Sequence, residues 1–234
     1  MQSNLCLGTA QFGMNYGVTN KNGQMTDRVI NSIINKAIKE DIISFDTANL
    51  YGDAEQIIGK KLKSKNAKIS TKFKTNVKKI FREEDICFLE SEFQKSLVKL
   101  KKKNVDSYLI HNCDDLKKQN SYLLINWLKD LKERGLIKRI GISIYEESDL
   151  IDISLKEIEV VQMPISIYDQ RLLESNLLKK LLDKNISIHI RSIFLQGLLL
   201  QKACNWPAFM NESFLEHHKT YENEVYSRNL SLIE

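Results

Sequence analysis

A chain of 234 residues, 42% hydrophobic and 28% charged, has the size of one domain, 1–234, and the composition of an ordinary soluble protein. Nine glycines and two prolines leave no Pro/Gly-rich linker. No apolar run nears the ~20 residues that span a bilayer, and the opening MQSNLCLGTAQ lacks the basic-then-apolar pattern of a secretion signal. The net charge of +5 comes from Lys60-Lys61, Lys78-Lys79 and Lys101-Lys102-Lys103, which read as helix faces and helix ends. Without interleaved aromatics they do not make a nucleic-acid surface. Cys6, Cys87, Cys113 and Cys204 have neither metal nor disulfide spacing, so the expectation is a reducing, cytoplasmic setting with no metal.

Taken in order, short apolar runs alternate with amphipathic stretches. Strands are expected at Leu5–Leu7, Ile42–Phe45, Lys68–Thr71, Val105–Ile110, Ile137–Ile142, Val160–Met163 and Ile186–Ile190. Helices are expected at Asp27–Glu40, Glu55–Lys63, Phe88–Lys102, Ser121–Arg134, Glu146–Leu155, Leu173–Lys184 and Asn211–Tyr226. In the second helix Ile57, Ile58 and Leu62 share an apolar face. Gly135 reads as the stop of the fourth helix ahead of a strand. Uninterrupted β-α alternation is the pattern of a parallel α/β fold. No GxGxxG follows the first strand, which argues against a Rossmann fold. A TIM-type (β/α)8 barrel remains, apparently incomplete, with seven βα units and no eighth strand. A gap is therefore expected between the first and seventh strands, with low stability or a partner covering it.

Barrel sites are built at the C-terminal ends of strands. Here those ends carry Gly8-Thr9, Asp46, Lys72, His111, Ser143, Gln162 or Met163, and Arg191-Ser192. Apolar strands that end in Asp, Lys and His are poorly explained by packing and suit a shared pocket. Tyr51 follows Asp46 on a strand-to-helix turn. Tyrosine, lysine, aspartate and histidine together are equipment for proton transfer to a carbonyl oxygen. The ammonium is expected to lower the tyrosine pKa, the carboxylate to orient the lysine, and the histidine to hold the oxygen. No side chain supplies hydride, so a nicotinamide would be needed.

These residues bring a family resemblance. DTANLYG, followed by Glu55 and then Ile58-Gly59, resembles the aldo-keto reductase signature. Asp46, Tyr51, Lys72 in ISTKF and His111 in YLIHN match that family's catalytic tetrad in order. LGTAQFG, GISIY, VVQMPISIYDQR and RSIFLQGLL resemble the segments that line its cofactor site. The resemblance implies a (β/α)8 barrel that reduces a carbonyl (aldehyde, ketone or sugar) with NAD(P)H, NADP(H) before NAD(H), and Tyr51 as proton donor. It further implies Gly8, Thr9, Ala10, Asp46, Ser143, Gln162, Arg191, Ser192, Phe194, Gln196 and Gly197 as cofactor contacts. The chain departs from the pattern in three places. Ile144 follows the serine of GxS where a polar residue is common. Arg191 stands where an aromatic often stacks on nicotinamide. The eighth strand and the following segment that grips the adenosine phosphate have no counterpart in these 234 residues, so the expectation is a C-terminally truncated relative with weak NADPH affinity and little preference over NADH.

Other candidates read as structural: His189 as core or pocket wall, Glu55 as a hydrogen-bonder near a helix start, Trp127 as core with Leu124 and Leu131. His217-His218 are adjacent and do not share a helix face. The partner expected is a small carbonyl substrate, with no nucleic acid and no membrane, and a protein or second copy at the open seam. Two other functions use the same residues: a weakly active or non-catalytic binding subunit, and a cofactor-independent barrel lyase or isomerase.

Overall fold

The computed structural model describes residues 4–62 and 66–233; Lys63, assigned above to the second helix, lies outside them. Seven parallel strands run in sequence order across one sheet: β1 Cys6–Gly8, β2 Ser44–Asp46, β3 Lys68–Phe73, β4 Val105–Ile110, β5 Ile137–Ser143, β6 Val160–Pro164 and β7 Ser187–Arg191. Among the described residues no ladder joins β7 to β1. The fold is a curled, incomplete (β/α)8 barrel with the seam where the missing strand was expected.

Around the sheet lie α1 Ala10–Gly13, α2 Asp27–Lys39, α3 Ala54–Lys61, α4 Glu83–Leu100, α5 Ser121–Glu133, α6 Arg171–Glu174, α7 Leu177–Asp183 and α8 Glu212–Ser227. The core fills the layer between sheet and helices. Phe73 stacks on Tyr108 at 4.6 Å between centroids, and Trp127 of α5 meets Phe73 edge-on at 5.6 Å. Ile58 and Leu62 are buried beside α3, as the apolar spacing requires. Gly135 ends α5 at φ +70°, a left-handed conformation that glycine adopts without strain.

Three helices differ from expectation. α4 begins five residues early because its first turn is written in charge rather than hydrophobicity. Glu83, Glu84 and Asp85 complement the helix dipole, and the Asp85 carboxylate accepts the Arg82 N–H at 2.9 Å. Leu173–Lys184 is broken in two by Ser175, whose Oγ accepts the Leu177 N–H at 3.2 Å and starts a new helix. Glu146–Leu155 is no α-helix; only a 3₁₀ turn forms, at Glu147–Leu150, so the fifth strand lacks a full helical return. Lys78-Lys79 also lies in the loop between β3 and α4, not on a helix.

Several inward positions below the rim are polar, beside the apolar Leu109 and Val160 that flank Gly141. Ser70 and Ser107 stand in register across β3 and β4, and Arg139 of β5 reaches past β6 to donate to Ser187 Oγ at 3.2 Å. Closed barrels usually fill this volume with branched aliphatics. A polar interior is the kind that tolerates an open seam, since water entering there meets hydrogen-bonding groups rather than hydrocarbon.

Candidate active site

The strands run further than their apolar stretches, so Gly8, Asp46, Lys72, Ser143 and Arg191 are strand residues rather than the first residues of loops. Backbone pairing holds them while their side chains turn into the rim. Lys72 Nζ donates to both oxygens of Asp46, at 2.8 and 2.7 Å. The lysine side chain is 2% exposed and the carboxylate 18%, so this is a nearly dry ion pair. Gln162 Nε2 donates to Asp46 Oδ1 at 2.9 Å from across the barrel.

Tyr51 is brought over this pair by a close backbone approach. A Cβ on Gly13 would lie 1.9 Å from the Tyr51 carbonyl oxygen, and one on Gly52 (φ +54°) would lie 2.2 Å from the Gly13 oxygen. The two glycines let α1 dock on the Tyr51 turn. Gly13→Ala is accordingly expected to cost at least about 2 kcal/mol, the scale of overpacking against a rigid neighbour, and to displace Tyr51. Unchanged chemical denaturation of that variant would contradict the close approach.

The Lys72 ammonium sits 5.3 Å from the Tyr51 ring centroid, and the Tyr51 and His111 rings meet edge-on at 6.4 Å. Sequence reasoning expected the lysine to lower the tyrosine pKa. Instead Tyr51 is raised above its ordinary range, by burial first and then by the Asp46 carboxylate. The physical reason is that burial disfavours the charged phenolate and the Asp46 carboxylate repels it, while Lys72 is paired with Asp46. His111 is lowered below the ordinary histidine value, by burial and then by Lys72 and Arg191, and its Nδ1 is buried without a partner among the described residues.

All four residues line one cavity of about 750 Å³, and so do Gly8, Thr9, Ala10, Ser143, Gln162, Arg191, Ser192, Phe194, Gln196 and Gly197. The segment after β7 folds back over the cavity through positive φ at Ser192, Leu195, Gln196 and Gly197 (62°, 46°, 56° and 94°). It is fastened to the loop after α1: Thr19 Oγ1 donates to the Gln196 carbonyl at 2.9 Å and the Val18 N–H to Gln196 Oε1 at 3.1 Å. Gly197 leaves room for that clasp, since a Cβ there would sit 2.5 Å from Thr19 Oγ1.

Sequence reasoning missed Tyr16, Thr19 and Tyr145, which also line the cavity. The first two lie on a connection from α1 to α2 that is longer than the usual βα loop, and such length is itself a sign of function. The Arg191 guanidinium carbon sits over the Tyr145 ring, 4.3 Å from its centroid.

A nicotinamide is the group this residue set would need, and the wall has a place for one. Gln162 is 3% exposed, and with its Nε2 committed to Asp46 its Oε1 has no partner among the described residues. A carboxamide N–H₂ would satisfy it, beside the Ser143 hydroxyl paired in register on β5. A Cβ on Gly8 would meet nothing within 4 Å, so the floor there is open.

The remaining candidates are structural. Glu55 is 1% exposed and accepts from Thr71 Oγ1 at 2.8 Å. His189 faces inward in register with Gln162 and is half-buried. His218 is buried, stacks on Trp206 at 4.3 Å, and bonds Tyr168 Oη and the Gln201 carbonyl at 2.8 and 2.9 Å. It ties α8 to the segment after β7. Among the described residues no helix is long and apolar enough to cross a membrane.

The fold is shared with a glycerol dehydrogenase from Gluconobacter oxydans (23% identity over 99% of this chain and 76% of that one, TM-score 0.71). It is shared too with an aldo/keto reductase from Klebsiella pneumoniae in complex with NADP and acetate (14% identity, 99% and 74%, TM-score 0.68). A third similar structure is the holo form of an aldo-keto reductase from Bacillus halodurans (24% identity, 86% and 65%, TM-score 0.66). No curated protein sequence matches the chain. The family model for aldo/keto reductases matches residues 4–233, and the chain therefore belongs to the aldo/keto reductase family, whose members are oxidoreductases.

Proposed function

We propose that residues 1–234 act as one domain that reduces a small carbonyl compound (an aldehyde, a ketone or a sugar) with NAD(P)H, NADP(H) before NAD(H) but by a small margin. The observation that carries this reading is the convergence of Tyr51, His111 and the Lys72–Asp46 pair on one cavity, opposite the unpartnered Gln162 Oε1. NADP is the cofactor held by the Klebsiella pneumoniae relative.

A nicotinamide, when bound, would supply the hydride that the carbonyl carbon needs. Tyr51 is the general acid and gives its proton to the carbonyl oxygen; His111, neutral at pH 7, donates a hydrogen bond that holds that oxygen. Once Tyr51 has lost its proton, Arg191 is the cation that favours the phenolate, while Asp46 holds the Lys72 ammonium 5.3 Å from the Tyr51 ring. Ser143 and Gln162 hold the carboxamide, Gly8, Thr9 and Ala10 form the floor, and Arg191, Ser192, Phe194, Gln196 and Gly197 close the wall over the cofactor. The chain works in a cytoplasmic setting, and the seam between β1 and β7 is where a protein partner or second copy would sit.

The pH dependence follows from the two shifts. A lowered His111 charges only below the ordinary ~6.5, and a raised Tyr51 ionises only above the ordinary ~10. Both limbs of the profile therefore fall outside that window, and reduction should be flat across it. The test is NADPH and NADH oxidation against a panel of aldehydes, ketones and open-chain sugars. Carbonyl-dependent oxidation with a plateau from about pH 6.5 to 9 is expected. Oxidation with no member of the panel would sink the reading.

A further inference from the structure

Charge in the cavity is unevenly balanced. Of the described residues that line it, Asp46, Lys72 and Arg191 are ionised side chains. Lys72 is spent on Asp46 at 2.7 Å. Arg191 has no carboxylate in an ion pair among the described residues. It donates to the Ile144 carbonyl at 3.1 Å and to Ser192 Oγ at 3.5 Å, and lies on the Tyr145 ring at 4.3 Å. Asp169 is within its field but is engaged by Arg171 at 2.8 and 3.0 Å. The cavity wall therefore keeps one fixed, uncompensated positive charge.

Its position is what gives that charge a consequence. Arg191 ends β7, in register with Pro164 of β6, and Gln162 and Ser143 line the same wall on β6 and β5. The tetrad stands opposite, on and after β2, β3 and β4. Arg191 is felt by both Tyr51 and His111, the two groups assigned to the carbonyl oxygen. A ring that delivered hydride to that carbonyl would lie between the two walls, in the field of the guanidinium.

We propose that Arg191 biases the cavity toward the reduced, uncharged nicotinamide and against the oxidised, cationic one, so that the site favours carbonyl reduction over alcohol oxidation. The inference rests on the nicotinamide reading above. In the reaction the ring loses a hydride and becomes a cation. The carbonyl gains that hydride at carbon and the Tyr51 proton at oxygen, and Tyr51 is reloaded from solvent. One positive charge thus appears beside Arg191 on reduction of substrate, and repulsion between like charges speeds loss of the oxidised cofactor. The guanidinium, over the Tyr145 ring at 4.3 Å and bonded to the Ile144 carbonyl, is held at the wall.

Equilibrium titration calorimetry of the purified chain with NADPH and with NADP+ tests this, because the two differ only at the ring and all phosphate contacts cancel in their ratio. The wild-type chain should bind NADPH about tenfold tighter or more, the scale of one like charge at short range in a partly hydrated site. Arg191→Met should bring the ratio near one, mainly by tightening NADP+, while Arg191→Lys, which keeps the charge, should retain most of it. Circular dichroism establishes that both variants are folded. A ratio unchanged in Arg191→Met would overturn the proposal. So would equal weakening of both forms, which would make Arg191 a phosphate anchor, or a ratio lost as fully in Arg191→Lys as in Arg191→Met. Failure of the wild-type chain to bind either form would instead overturn the nicotinamide reading on which the proposal stands.

Discussion

Replacing Tyr51 with phenylalanine is expected to lower carbonyl reduction by ~10²–10⁴-fold, the usual contribution of a positioned general acid. The fold should survive, because the change removes one hydroxyl at a cavity wall and leaves the ring against His111 at 6.4 Å. Cofactor affinity should survive too, since the carboxamide contacts lie on β5 and β6. Stopped-flow turnover together with cofactor titration on the same preparation separates these effects. Turnover equal to wild type would remove Tyr51 from the proton-transfer role, and loss of cofactor binding would place it in the binding site instead.

The second large effect is expected at Lys72. Removing its ammonium strands the Asp46 carboxylate, whose side chain is 18% exposed, with only the Gln162 Nε2 donor at 2.9 Å. Breaking a buried pair from one side costs about 3–5 kcal/mol, because a charge is left without its partner. The remaining hydrogen bond and partial exposure put Lys72→Met near the lower end, about 3 kcal/mol. The double variant Lys72→Met/Asp46→Asn removes both charges and should recover much of that stability while remaining inactive. Chemical denaturation of the three proteins decides the matter. A single variant as stable as wild type would show that the pair is not buried in the working protein, and a double variant as unstable as the single would show that packing, not charge, is what Lys72 supplies.

Much of the fold was legible because it is written in periodicity. Val105–Ile110 is recovered to the residue, and all seven strands were found, since buried parallel strands are continuous apolar runs. Their C-terminal ends were placed short for the same reason: Asp46, Lys72 and Arg191 are polar, yet their backbones still pair. α4 was begun late because its first turn is built from Glu83, Glu84 and Asp85. Asp46, Lys72 and His111 were legible as a set because a polar residue at the end of an apolar strand has few structural uses, and Tyr51 because DTANLYG resembles the family signature.

What the sequence did not carry was how charges share one another. Nothing in the spacing of Asp46 and Lys72 shows that the pair closes on itself at 2.7 Å, nor that Tyr51 lies buried beside the Asp46 carboxylate, the two causes that shift it upward. The Gln162–Asp46 bond spans 116 positions, and the contact of Tyr145 with Arg191 depends on the turn of the β7 segment. Such links are set by strand order and side-chain rotamers, and periodicity reports neither.

The measurement that bears most directly on the account is a titration of NADPH fluorescence with the wild-type chain, followed by addition of a carbonyl substrate. The account predicts saturable binding of one NADPH per chain, and discharge of the reduced signal on adding carbonyl, fast in the wild type and slowed by at least ~10²-fold in Tyr51→Phe. Binding without discharge by any carbonyl would make the chain a binding subunit. No saturable binding at any accessible concentration would contradict the account outright and leave the cavity to chemistry that needs no nicotinamide.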